Sequence, residues 1–315
     1  MTDTPDTSPA ATPEKAEGAI SRFFRETEVD TRLLGMLAAL ALIWVGFHFY
    51  GQFVNGFGAF LTPRNLWNLS VQTSSIGIMA TGMVLVIVTR HIDLSVGSML
   101  GFIAIVMGAL QVNILPQYLG LGHPMIWVLA ILAGLLVGTL IGGFQGYMIA
   151  YGTIPAFIVT LGGLLVWRGV GFLVARGETI APVDATFKLL GGGPYGAVGN
   201  TGSWIVGILG CIAVLALIIL GRRKRKSFDL HLRPVWAEGF LAAVGCGAVI
   251  GATMLVNAYP WPKGIVKKYA EAEGIEVPPE GIFISHGFAI PVLILVGVAI
   301  VMTIIMSRTK FGRYV

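Results

Sequence analysis

Long apolar runs alternate along the chain with short polar connections. A bilayer core about 30 Å thick needs roughly 20 residues of helix to cross it. Runs of that kind fall at about 33–50, 69–89, 94–113, 125–149, 155–176, 204–220, 236–257 and 286–306. The connections hold residues that end helices: Thr62-Pro63, Leu115-Pro116, His123-Pro124, Gly191-Gly192-Gly193-Pro194 and Tyr259-Pro260-Trp261-Pro262. The pattern predicts an all-α fold, a polytopic membrane helix bundle of eight spans.

The polar ends orient this bundle. Residues 1–30 are rich in Thr, Pro, Ala and Glu, with seven acidic residues against three basic, and lack the apolar core of a signal peptide. They are expected to form a disordered cytoplasmic tail, leaving residues 31–315 as the transmembrane domain and its first helix as the insertion signal. With the N-terminus inside, the inner connections carry Lys15, Arg22, Arg25, Arg32, Arg90, the run Arg222-Arg223-Lys224-Arg225-Lys226, Arg233, Arg308, Lys310 and Arg313. The outer ones carry only Arg64, Arg176, Lys188, Lys263, Lys267 and Lys268, and Arg168 lies within a span. This is the positive-inside asymmetry of a multi-pass plasma-membrane protein. The last segment, Ser307 to Val315, opens a new amphipathic element without a cap or polar tail, so the natural chain is expected to continue.

Composition sharpens the class. Of 315 residues, 55% are hydrophobic and 12% charged, 43 are glycine, and the mean hydropathy is +0.81. A soluble domain carries about 25% charged residues. These values exclude a soluble enzyme, a disordered chain and a disulfide scaffold. The net charge of +5 belongs to the inner loops and implies no nucleic acid. Cys211 and Cys246 lie inside apolar runs and offer no metal-binding spacing; neither a metal nor a cofactor is expected.

Few polar residues remain to carry function. Asp93 is the one acid between Asp30 and Glu178. It can cap the third helix through its carboxylate, or also border a translocation path, since intramembrane charge is costly unless paired or wetted. A proton relay is a further possibility, though no second buried acid stands near to continue it. Arg168, in Val166-Trp167-Arg168-Gly169, either snorkels to the outer interface, joins a salt bridge, or meets a polar solute. Gly134, Gly138, Gly142 and Gly146 recur every four residues, a face for close helix packing. Gln72, Thr81, Gln145 and Thr160 can bond across helices or offer hydrogen bonds to a solute's hydroxyls. The chain has no phosphate-binding G-x-x-x-x-G-K-[ST] loop, no H-E-x-x-H and no G-x-S-x-G. Any energy source must come from elsewhere, and the chain is not expected to be an enzyme.

Three motifs carry a resemblance. Gly82-Met83-Val84-Leu85-Val86-Ile87-Val88 leads into Ile92-Asp93-Leu94-Ser95-Val96-Gly97-Ser98; Ile154-Pro155-Ala156-Phe157-Ile158-Val159-Thr160-Leu161-Gly162-Gly163 leads into Arg168-Gly169; and the chain closes on Thr309-Lys310-Phe311-Gly312-Arg313-Tyr314-Val315. In this order they resemble the permease subunits of bacterial ribose/xylose-type ABC sugar importers, over roughly residues 60 to 315. Two positions depart from many members: Arg90-His91 stands in place of two glycines, and Gln145-Gly146 in place of Asn-Gly. The stretch from about 222 to 285, with its additional span and Pro260-Trp261-Pro262 loop, exceeds the ribose-type design and is similar to the xylose-type permeases.

The resemblance implies about ten spans in a full-length member, and a permease domain from residue 31 working as a homodimer. It implies two cytoplasmic ATPase subunits, a periplasmic sugar-binding protein that sets specificity, and alternating access in the inner membrane. The candidate substrate-path residues of this chain are Gln72, Thr81, Asp93, Ser95, Gln145, Phe157, Thr160 and Arg168. The resemblance also implies an ATPase-coupling segment at Lys310, Phe311, Gly312 and Arg313. Two other classes stay open: a proton-coupled secondary sugar transporter, for which Asp93 with His91 is a thin set of titratable groups, and a structural membrane assembly protein.

Overall fold

The computed structural model describes residues 19–275, 278 and 281–314. The described residues form helices without a β-strand, and eight helices are long and apolar enough to cross a membrane. They are α2 (Thr31–Asn55), α3 (Pro63–Val88), Val96–Leu119, α6 (Met125–Ala150), α7 (Ala156–Ala175), α9 (Gly199–Ser227), α10 (Val235–Asn257) and α12 (Ile290–Arg308). The eight expected spans are all present, and the chain is a polytopic, multi-pass membrane bundle. The third is composite: α4 (Val96–Ala109) passes through a π-helical turn, Leu110–Ile114, into α5 (Leu115–Leu119).

Helix ends differ from the apolar runs because a helix continues through polar residues once its apolar middle is anchored. α3 begins at Pro63, whose fixed φ and missing N–H suit a first helical turn. α9 runs on through the whole basic cluster to Ser227. α12 begins later than the apolar run, at Ile290 with Pro291 in its first turn. Three short helices lie in connections that hydropathy alone leaves blank: α8 (Ala185–Leu190), α11 (Lys263–Glu273) and α13 (Lys310–Tyr314). For α8 and α11 the signals are nonetheless present. Asp184 accepts hydrogen bonds from the N–H groups of Thr186 and Phe187, and α11 lies between Pro262 and a left-handed Gly274.

Two compact units divide the chain, Met1–Thr62 with Val206–Ala252, and Pro63–Ile205 with Thr253–Val315. In the first, α9 and α10 lie side by side, with Val249 against Gly210 and Val214 against Gly245. Residues 1–18 lie outside the described residues, but from Ala19 the chain is helical (α1, Ala19–Thr27). Its order has specific partners. The Phe23 ring lies 5.8 Å from Trp236 and 5.3 Å from Phe240, and Glu28 is held by Arg225 and Arg233. No residue of α2 is buried.

In the second unit α4, α6 and α7 pack together, and α3 packs against α12. A buried knot gathers the ends of α3, α10 and α12 around Trp67, Val256 and Ala289. Trp67 donates its indole N–H to the Gly287 carbonyl at 2.8 Å, and Ser203 on α9 accepts from the Phe288 N–H at 2.8 Å. Gly287 has φ +74°, and a Cβ there would overlap the Gly199 carbonyl and the Ser203 hydroxyl, so only glycine fits. The buried His286 ring stacks on Tyr259 at 4.1 Å with an interplanar angle of 2°. Burial holds the His286 pKa below the usual histidine value, against a smaller opposing effect of the Tyr259 carbonyl.

Candidate functional site: a polar cluster and cleft between α4, α6 and α7

The polypeptide leaves α3 through a tight turn in which Arg90 takes a left-handed conformation, φ 63°. The turn ends on Asp93, whose Oδ1 accepts from both the N–H and the hydroxyl of Ser95 at 2.7 Å. Asp93 therefore shapes the turn before α4 rather than capping the free N–H groups of its first turn, and α4 has no side-chain cap. Ser95 is fully buried, and its Oγ also lies 3.2 Å from the Gln145 amide oxygen on α6. A hydroxyl has one proton and cannot donate to both oxygens. With the Gln145 amide turned over, Nε2 donates to Ser95 and Ser95 donates to Asp93, and Oε1 takes the buried position in which Nε2 otherwise has no partner among the described residues. In either orientation the other end of the amide faces the bare backbone of Gly163 on α7, where a Cβ would overlap it.

Gly163 is where the three helices meet. A Cβ there would touch Ser95 Cβ at 3.2 Å and Trp167 Nε1 at 3.4 Å as well. One turn before it, Thr160 is buried, donates to Ala156 O at 2.8 Å within its own helix, and lies 3.3 Å from the Ile92 carbonyl of the turn. One turn after it, Trp167 stacks on Phe102 of α4, with centroids 5.5 Å apart and an interplanar angle of 26°. Its buried indole N–H has no partner among the described residues. The Trp167 ring also lines a cavity, while its N–H lies beside Gly163.

A cavity of about 390 Å³ opens beside this cluster, lined by Gly97, Ser98, Gly101 and Phe102 on one side and Leu164, Trp167, Arg168 and Gly171 on the other. Its width is set by glycine: a Cβ at Gly97 or Gly101 would meet nothing within 4 Å. A second opening of about 640 Å³ shares Ile105 and Arg168 with it and reaches Glu178. Among the described residues Arg168 has no ion pair, and its exposed guanidinium lines both openings. The arrangement joins an aromatic face, the Ser98 hydroxyl and a guanidinium along a narrow cleft. It can hold a neutral, hydroxyl-bearing solute by stacking and hydrogen bonds. No group of three metal-ligating side chains occurs among the described residues.

The expected path residues separate into two groups. Asp93, Ser95, Gln145 and Thr160 come together, while Arg168 lines the neighbouring openings. Gln72 and Thr81 do not join them. Both lie on α3, Gln72 exposed and Thr81 bonded to Ile78 O at 2.7 Å in its own helix. Phe157 is exposed on α7. Trp167 and Phe102 were missed because an aromatic ring in an apolar helix carries no polar signal in the sequence. The glycine ladder of α6 is half engaged: Gly134 and Gly138 pack against Ile103, Gly134 also against Met107, while Gly142 and Gly146 face open space. On α13, Lys310, Phe311 and Arg313 are exposed, and a Cβ at Gly312 would overlap the Met306 carbonyl.

Comparison with known proteins places these features in a context. Residues 65–315 match a family described as the permease component of branched-chain amino acid transport systems. The chain is 30% identical over 295 residues to a xylose transport system permease protein of Haemophilus influenzae, covering 93% of this chain and 66% of that protein. It is 35% identical over 231 residues to the xylose transport system permease protein of Escherichia coli, covering 73% and 54%. With the ribose import permease protein of E. coli it shares 38% identity over 161 residues, covering 48% and 44%. The chain thus spans between 44% and 66% of the length of these relatives. No solved structure matches it significantly.

Proposed function

This chain belongs to the family of transport-system permease components, alongside the xylose and ribose permeases it resembles, and we propose that it is the membrane-spanning subunit of an ATP-driven importer of a monosaccharide, xylose or a similar pentose. The observation that carries the reading is the cleft between α4 and α7. The stacked Phe102 and Trp167 rings, with Ser98 and Arg168, line a cavity of about 390 Å³ whose walls are opened by Gly97 and Gly101. Hydroxyl groups pair with such donors and acceptors, and sugar rings stack on aromatic faces.

On this reading the chain catalyses no reaction. Cytoplasmic ATPase subunits supply the energy, a periplasmic sugar-binding protein delivers substrate, and two copies of the permease pair in the inner membrane with their N-termini in the cytoplasm. Alternating access then exposes the cleft to each side in turn. Lys310, Phe311 and Arg313, exposed on α13, are the groups proposed to contact the ATPase, and Gly312 allows the tight turn that presents them.

The test is reconstitution of the full-length protein with its candidate ATPase and sugar-binding subunits. The expected result is xylose-stimulated ATP hydrolysis with xylose uptake that stops when ATP is removed. Uptake that survives ATP depletion and collapses with the proton gradient would reject the reading in favour of a secondary transporter.

A further inference from the structure

The inner end of the first unit holds a second polar assembly that the transport reading does not use. Arg222 and Arg225 at the end of α9 and Arg233 in the following loop converge on one small region. Two of them already grip an oxyanion: Glu28 accepts from Arg225 through both carboxylate oxygens at 2.7 Å, and from Arg233 through Oε2 at 2.6 Å. These contacts, those of Arg225 first and Arg233 second, pull the Glu28 pKa down to about 2. Arg222 bonds Glu238 at 2.7 Å. Beside these pairs lies a cavity of about 240 Å³, lined by Arg222, Arg225, Arg233 and Glu238 and closed on its apolar side by Leu217 and Ile218. Arg233 Nε is buried with no partner among the described residues. Three guanidinium groups face two carboxylates, and the neighbouring Arg223, Lys224 and Lys226 raise the positive excess.

We propose that this cavity binds the phosphate group of an anionic phospholipid headgroup. A guanidinium fork matches two phosphate oxygens as it matches a carboxylate, and the Glu28 carboxylate shows that Arg225 and Arg233 are set at the spacing to do so. The lipid source follows from position. The arginines stand at the end of an apolar span, Leu217 and Ile218 offer an acyl chain its first contacts, and the aromatic pair Phe23 and Trp236 lies on the neighbouring α1 and α10. Glu28 then competes with the headgroup for the same two arginines, so that lipid binding and the docking of the segment after α1 exclude one another.

The proposal assigns opposite effects to the two partners of one ion pair. The full-length protein in a neutral detergent is titrated with a short-chain phosphatidylglycerol, with short-chain phosphatidylcholine and with inorganic phosphate, and the rise in Tm is read as binding. Phosphatidylglycerol is expected to raise Tm, with phosphatidylcholine and phosphate much weaker. Arg233→Gln is expected to weaken the phosphatidylglycerol effect about fivefold, and Glu28→Gln to strengthen it. A purely structural ion pair would instead leave both variants with the same phosphatidylglycerol response as the unaltered protein, which overturns the proposal. Protection by inorganic phosphate equal to that by phosphatidylglycerol overturns the lipid assignment and gives the site to soluble phosphate. Equal protection by phosphatidylcholine overturns the charge recognition altogether.

Discussion

Trp67 and Trp167 lie in the same unit and are treated in opposite ways. The Trp67 indole is buried and donates to the Gly287 carbonyl, in a knot where Ser203, Phe288 and Gly199 also find partners. The Trp167 indole is stacked on Phe102 but leaves its N–H unpaired beside a cavity. The glycines divide the same way. Gly287 sits where any side chain would strike backbone, whereas Gly101 faces open space. The difference is that the Trp67 donor ties separate segments together, whereas the Trp167 donor ties nothing among the described residues.

Substitutions can break this contrast, beginning with the largest effect. Gly287→Ala forces a positive φ on alanine and drives its Cβ into the Gly199 carbonyl. We expect a loss of more than about 2 kcal/mol, seen as a collapse of folded yield and Tm in detergent. Trp67→Phe keeps a ring but strands the Gly287 carbonyl, for a loss of about 1–3 kcal/mol.

A smaller effect is pH dependence. His286 is held neutral by burial, so its folded-state pKa lies below that of the unfolded chain. Its contribution is therefore full above about pH 6.5 and is lost as pH falls below that value through the folded pKa. The Tm should fall on acidification across this window, and His286→Asn should flatten the dependence.

The smallest stability changes are expected in the cleft. Trp167→Phe removes an unpaired donor and Gly101→Leu fills a cavity; each should change stability by no more than about 1 kcal/mol. Xylose uptake should fall nonetheless. A fall in Tm as large as that of Trp67→Phe would make the cleft an ordinary part of the fold.

Much of the architecture is legible in the sequence because lipid demands long apolar helices, and all eight are found where hydropathy places them. Their ends are less legible, since α9 continues through five consecutive basic residues that hydropathy assigns to a loop. The amphipathic α11 escapes for a different reason: eleven residues with Lys267 and Glu271 on one face leave no apolar run. Within the site, Asp93 and Gln145 stand out because polar groups are rare in spans. Trp167 does not, because its role depends on what its N–H lacks, which only the packing reveals.

The most direct test of the cleft as a sugar path is thiol labelling. In full-length protein with Cys211 and Cys246 replaced by Ala and reconstituted with its partner subunits, Ser98→Cys places a single thiol on the cavity wall. The account predicts modification by a charged, water-soluble methanethiosulfonate during ATP-driven turnover, slowed by xylose. A Ser98→Cys thiol that stays unmodified under turnover, or reacts at a rate xylose does not change, would contradict it.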